Sequence, residues 1–89
     1  MRELVFLTFP SIHHLLQLED ILKEKSFKFQ MIPLPREIRS DCGTCLLIEK
    51  EATENILTLA QKQGIPVEGV YPVTDEKKIR FYQKLFSLM

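Results

Sequence analysis

The chain predicts an α+β sandwich: elements in the order β-α-β-β-α-β, with one further helix at the end. Three observations carry this. Short β-branched and aromatic runs alternate with longer amphipathic stretches. Serine, glycine and proline fall where those stretches should start and stop. Two of the four strand candidates are apolar on both alternating sets, which suits the middle of a sheet covered on both faces.

The elements follow in order. Leu4 to Phe9 reads as a strand ended by Pro10. Ser11 is a natural N-cap for a helix to about Lys25, with Ile12, Leu15, Leu16, Leu18 and Leu22 as its apolar face. Phe27 to Leu34 reads as a second strand, in which Phe27, Phe29 and Met31 alternate with Lys28 and Gln30. Cys45 to Glu49 is the third. A second helix covers Glu51 to Gln63, with Ala52, Ile56, Leu59 and Ala60 inward; Gly64 fits its C′ position, and Ile65-Pro66 follows. Val67 to Val73 is the fourth strand. Thr74 or Asp75 can cap a last helix from Glu76 to about Leu88, whose face is Ile79, Tyr82, Phe86 and Met89.

This order is the split-βαβ, ferredoxin-like arrangement. It places the first and third strands centrally. Leu4/Phe6 against Val5/Leu7, and Leu47 against Leu46/Ile48, are apolar on both sides, whereas Lys28, Gln30 and Glu68 give the other two a polar side. Residues 1–73 then form a ferredoxin-like domain holding a cysteine loop at 33–45. Two helices cover only one sheet face. Residues 74–89 are expected to cover the other, as a helix packed on the sheet; a homodimer is the alternative.

Eighty-nine residues make one domain. Twelve basic and twelve acidic residues leave no net charge, which argues against a general nucleic-acid binder. The opening MRELVFLTFP is interrupted by Glu3 and Thr8, so it predicts no secretory signal, and no later stretch approaches a membrane span. A cytoplasmic protein is expected. There, two cysteines at Cys-x-x-Cys spacing point to redox, metal or sulfur chemistry rather than a structural staple.

The cysteines lie in IPLPREIRSDCGTCLLIE, residues 32–49. The hairpin connection is long, and long connections in compact domains are often functional. Pro33 and Pro35 stiffen its start, and Gly43 lets the backbone approach a ligand or take positive φ. The thiolate is the nucleophile in sulfur chemistry: a cysteine of pKa ~8.5 is only about 3% ionised at neutrality, and about three-quarters if lowered to ~6.5. Arg36 and Arg39 are the local cations that would do this; Asp41 opposes them unless it forms an Asx-turn. Cys42 is expected to be the exposed reactive thiol. Cys45 either resolves it as a disulfide or is the first core residue of its strand. The plain alternative is that both are small buried hydrophobes.

Other chemistry fits less well. A thioredoxin-like pair needs a helix after it, and LLIE reads as strand. Zinc or an iron–sulfur cluster needs four ligands, and one chain offers two cysteines with His13 and His14. No metal or cofactor is expected. The two histidines on a first helical turn read as solvated. Glu19 could orient a site group, but an i,i+4 pair with Lys23 is the simpler role.

The stretch LKEKSFKFQMIPLPREIRSDCG resembles the signature of the selenium/sulfur carrier-like family of small bacterial domains. Ile32, Pro33, Pro35, Arg36, Glu37, Ile38, Ser40, Cys42 and Gly43 match it without gaps. Glu19 matches a glutamate of the family's helix, and Gly69 to Tyr71 resembles its closing strand. The resemblance covers about residues 3–73. It implies a ferredoxin-like domain that holds sulfur or selenium on the cysteine. Cys45 stands where a small residue such as alanine is expected, Arg39 replaces a serine, and the last helix lies outside the resemblance.

The expected function is therefore a carrier rather than a turnover enzyme. Cys42 would cycle through a persulfide or selenosulfide. Arg36, Arg39, Gly43 and Ser40 would stabilise the anion or meet partner proteins, which donate and accept the sulfur or selenium. The alternatives are a dithiol–disulfide redox protein using Cys42 and Cys45, and a non-catalytic, dimeric binding domain.

Overall fold

Among the described residues, backbone hydrogen bonds run through the helices, one sheet and the turns between them. The computed structural model describes residues 3–39 and 42–88. Its elements are β1 (Leu4–Thr8), α1 (Ile12–Glu24), β2 (Phe29–Pro33), β3 (Thr44–Glu49), a 3-10 turn (Lys50–Ala52), α2 (Thr53–Lys62), β4 (Gly69–Pro72) and α3 (Glu76–Ser87). The strands form one antiparallel sheet in the order β2-β3-β1-β4.

The central positions of β1 and β3 follow from their side chains. Leu4 through Thr8 are all buried, as are Cys45 through Ile48. Successive residues of a strand point to opposite faces, so each central strand feeds two cores. On one face Val5, Leu7, Leu46 and Ile48 meet Leu15, Leu18 and Leu22 of α1 and Ile56 and Ala60 of α2. On the other, Leu4, Phe6, Cys45 and Leu47 meet Phe86 of α3, with Ile79 and Tyr82 half-buried beside them. Tyr82 stands edge-on to Phe6, ring centroids 5.5 Å apart. Met89, expected on that helix face, and Met1 and Arg2 lie outside the described residues.

The helix ends show why the chain turns where it does. Asp75 caps α3: its carboxylate accepts from the N–H groups of Lys77 (2.9 Å) and Lys78 (3.3 Å). Ser11 occupies the N-cap of α1 in an extended conformation, but its side chain makes no cap bond. At the end of α2, Gly64 takes φ +68°, the Ile65 N–H donates to Ala60 O (2.8 Å) and the Gly64 N–H to Gln61 O (3.1 Å). That is a Schellman closure around glycine.

The end of α1 repeats it with the wrong residue. Phe27 N–H donates to Leu22 O (2.9 Å) and Ser26 N–H to Lys23 O (3.2 Å), with Ser26 at φ +61°. This closure uses up residues 26 and 27, so β2 begins at Phe29 rather than at the expected Phe27. β4 likewise starts at Gly69, two residues later than Val67, although Glu68 N–H still donates to Thr8 O at 2.8 Å. β3 begins one residue early, at Thr44, which places Cys45 inside the strand.

Phe86→Ala empties the centre of the second core and should lower unfolding free energy by about 3–5 kcal/mol in a denaturant titration. Ser26→Gly removes the left-handed strain while keeping the closure, and should raise it by about 1 kcal/mol in the same assay.

Candidate functional site

Among the described residues, the connection between β2 and β3 holds a turn and an extra ladder bond. Leu34 N–H donates to Gly43 O (3.1 Å), which carries the hairpin pairing a step beyond the strands. Ile38 N–H donates to Pro35 O (3.1 Å), so Pro35-Arg36-Glu37-Ile38 is a β-turn. Pro35 is buried, Arg36 and Glu37 are exposed at the turn's centre, and Ile38 returns with Leu34 to pack against the second core. Arg39 is exposed. Ser40 and Asp41 lie outside the described residues.

Cys42 corrects an expectation. It is not an exposed thiol: it is 4% accessible and belongs to the core between the sheet and α1/α2. Its Sγ donates to Thr44 O at 3.2 Å. Strand periodicity gives the physical reason. The pleat of β3, continued back past Thr44, puts Cys42 on the face of Leu46 and Ile48. Gly43 is exposed, and no atom lies within 4 Å of where a Cβ would stand. Its φ is not positive, so of its two expected uses only the open approach to the backbone applies.

Cys45 sits on the other face, fully buried with Leu47, Ile32 and Phe86. A spacing of three residues in an extended chain places two side chains on opposite sides. The two sulfurs therefore enter different cores, and no disulfide joins them. Burial pushes the Cys45 thiol up to about 12, with the neighbouring Cys42 adding to it. One step beyond the Leu7↔Leu46 pair, the β1–β3 register sets Thr8 opposite Cys45. Thr8 is also fully buried, and its hydroxyl has no hydrogen-bond partner.

Two features were missed in the sequence. Glu37, in the loop motif, is hydrogen-bonded by the ammonium of Lys78 on α3. That bond is the main reason the carboxyl lies below its ordinary range and the ammonium above it. Forty-one positions separate the two residues, and neither has local context that would betray the other. Beside them a cleft of about 250 Å³ is lined by Phe6, Ile38, Tyr71 and Pro72. The Thr8 hydroxyl did have a signal, as the one polar side chain in an otherwise apolar strand.

Other expected residues lie apart from the loop. Glu19 pairs with Lys23 at 3.6 Å along α1, the simpler of its two expected roles. His13 is exposed, while His14 is half-buried and its Nδ1 has no partner. Among the described residues no cluster of three or more His, Cys, Asp or Glu could hold a metal ion, and no helix is long and apolar enough to cross a membrane.

These features define a small α+β domain in which a buried cysteine and an exposed glycine adjoin at the end of the β2–β3 hairpin connection. The chain belongs to the family described as "Putative Se/S carrier protein-like", whose model matches residues 4–72. The match ends before α3. No curated protein and no solved structure matches the chain.

The Cys45 thiol has a measurable consequence. The folded chain holds that proton up to about 12, whereas the unfolded chain releases it near the ordinary 9.0. Stability from this group is therefore full below about pH 9 and is lost as pH rises from there toward about 12. Thermal unfolding followed between about pH 8 and 11 should show a steeper alkaline loss for the wild type than for Cys45→Ala.

Proposed function

We propose that this chain carries sulfur or selenium on Cys42, from a scaffold of ferredoxin-like topology. The strand order β2-β3-β1-β4, antiparallel throughout, is the order a split βαβ arrangement requires. Family membership supports the carrier role. The observation that carries the choice of sulfur is the unequal cover of the two thiols. Cys45 lies within a central strand beneath a helix, and ionising it is strongly opposed. Cys42 lies just outside the strand, next to an exposed glycine, and its sulfur is hydrogen-bonded to a main-chain carbonyl two residues away.

The resting cysteine is buried. Loading requires it to swing outward, breaking the bond to Thr44 O, whose net worth is about 1 kcal/mol. Local openings of this kind lie at the low end of a protein's stability range. In the open loop the Cys42 thiolate attacks the terminal sulfur of a persulfide donor, R–S–SH. The new S–S bond forms on Cys42, the donor's S–S bond breaks, and the donor leaves as thiolate. Delivery to an acceptor thiol is the same exchange reversed. Selenium bound as a selenosulfide follows the same logic. Arg36, Arg39 and Ser40 would then meet the anionic cargo and the donor and acceptor proteins. Such chemistry suits a reducing cytoplasm. The dithiol reading lacks this support, because its two sulfurs enter different cores. A disulfide needs Cβ atoms about 3.5–4.5 Å apart and facing.

Incubation with glutathione persulfide, followed by intact-mass and peptide mass spectrometry, should add about 32 Da (one sulfur atom) to Cys42. Cys42→Ser should abolish the adduct and Cys45→Ser should keep it. An adduct only on Cys45, or none, refutes the assignment.

A further inference from the structure

The exposed side of α3 carries a row of like charges on a chain whose net charge is zero. Residues Glu76–Ser87 contain four bases, Lys77, Lys78, Arg80 and Lys84, against one acid, Glu76. The helix thus carries +3 and the rest of the chain −3, since the whole has no net charge. Lys78 is engaged by Glu37. Lys77, Arg80 and Lys84 are exposed, and among the described residues none of the three is in an ion pair.

Helical spacing sorts these residues. Ile79, Tyr82 and Phe86 face the sheet. Lys77, Phe81, Lys84 and Leu88 recur at four-, three- and four-residue steps along the opposite side, with Arg80 flanking them. Phe81 is 59% exposed and Leu88 77%. Phe81 is not loose, because it leans edge-on against Tyr82, with ring centroids 5.5 Å apart. The row is unfavourable in isolation. Arg80 has a like charge at both i−3 and i+4, and Lys77 sits in the first helical turn, where the dipole disfavours cations. A counter-charge from outside the chain would relieve both.

We infer that the outer stripe of α3 docks an acidic protein segment bearing apolar side chains, with Phe81 and Leu88 as anchors and Lys77, Arg80 and Lys84 as the charged rim. Charge complementarity sets the sign of the partner, and the two anchors set its class. Phosphates would match the cations and leave Phe81 and Leu88 without a partner. A bilayer needs a broad apolar face; that face of α3 is already spent on the sheet, and the remaining anchors lie about 10 Å apart along the axis. The pairing of Lys78 with Glu37 fixes α3 against the cysteine-bearing hairpin, so a docked protein would lie beside that hairpin. The inference stands whether or not Cys42 carries cargo.

The test is a titration of the ¹⁵N-labelled full chain with a synthetic amphipathic helix of glutamate and leucine, at low and at high ionic strength. Parallel titrations use phosphatidylglycerol vesicles and duplex DNA. Amide shifts should cluster at Lys77, Arg80, Phe81, Lys84 and Leu88 and shrink as salt rises. Phe81→Ala should weaken binding at least about fivefold, and Lys77→Glu with Lys84→Glu should abolish it. All three positions are exposed, and retained spectral dispersion will show that the variants fold. No shifts, shifts elsewhere, indifference to the charge reversal, or tighter binding to vesicles or DNA would each overturn the proposal.

Discussion

The pleat of β3 is the constraint on which the rest of the molecule depends. A strand in the middle of a four-stranded sheet presents side chains to both faces, and in β3 both sets are apolar. Neither face can be left to water: burying one leucine or isoleucine side chain is worth roughly 1.5–3 kcal/mol, and each face of the central strands carries several. α1 and α2 account for one side. The other would remain open without α3, whose Phe86 reaches the same cluster as Leu4, Phe6 and Leu47. The last helix lies outside the matched family residues, yet it completes a core that the central strands demand.

The same alternation separates the two thiols. A Cys-x-x-Cys at a helix start puts both sulfurs on one side of a turn. Here the spacing falls on extended chain, and the sulfurs diverge into the two cores. Their chemistry diverges with them. Cys45 is enclosed by aliphatic and aromatic side chains, so its charged form is heavily penalised. Cys42 packs into the core between the sheet and α1/α2, at the end of a loop that also holds the ladder bond from Leu34 to Gly43 and the sulfur–carbonyl contact to Thr44. Its other end is anchored by the Pro35–Ile38 turn, by Ile38 against the second core, and by Glu37 to Lys78.

How much of this the sequence disclosed depends on the range of the interaction. Local and periodic features were legible. The apolar alternation in Leu4–Leu7 and Leu46–Ile48 located the central strands, Asp75 capped α3 as one of two candidates, and Gly64 ended α2. Glu19 and Lys23 found each other four residues apart. Features that depend on tertiary placement were not. Ser26 adopts a conformation its type disfavours because Phe27 is held by Leu22 O, and nothing local announces it. Glu37 meets Lys78 only because α3 folds back over the sheet. The burial of Cys42 was legible in principle, by counting the pleat back from Leu46. The expected strand start at Cys45 hid that count, because the ordered pairing begins one residue earlier.

A closed loop over the cysteine is compatible with a carrier, and there is a physical case that it helps. A persulfide is open to attack by any small thiol, so a cargo sulfur held at the surface would be stripped by the reductants of the cell. Enclosure between the sheet and the helices would slow that loss, and transfer would then need an opening step. The turn end is tied to α3 through Glu37, while the Cys42–Gly43 end is held by short main-chain and sulfur contacts. A protein seated on α3 would lie beside the turn end of that hairpin, so that docking and any transfer from Cys42 would fall on neighbouring parts of one domain.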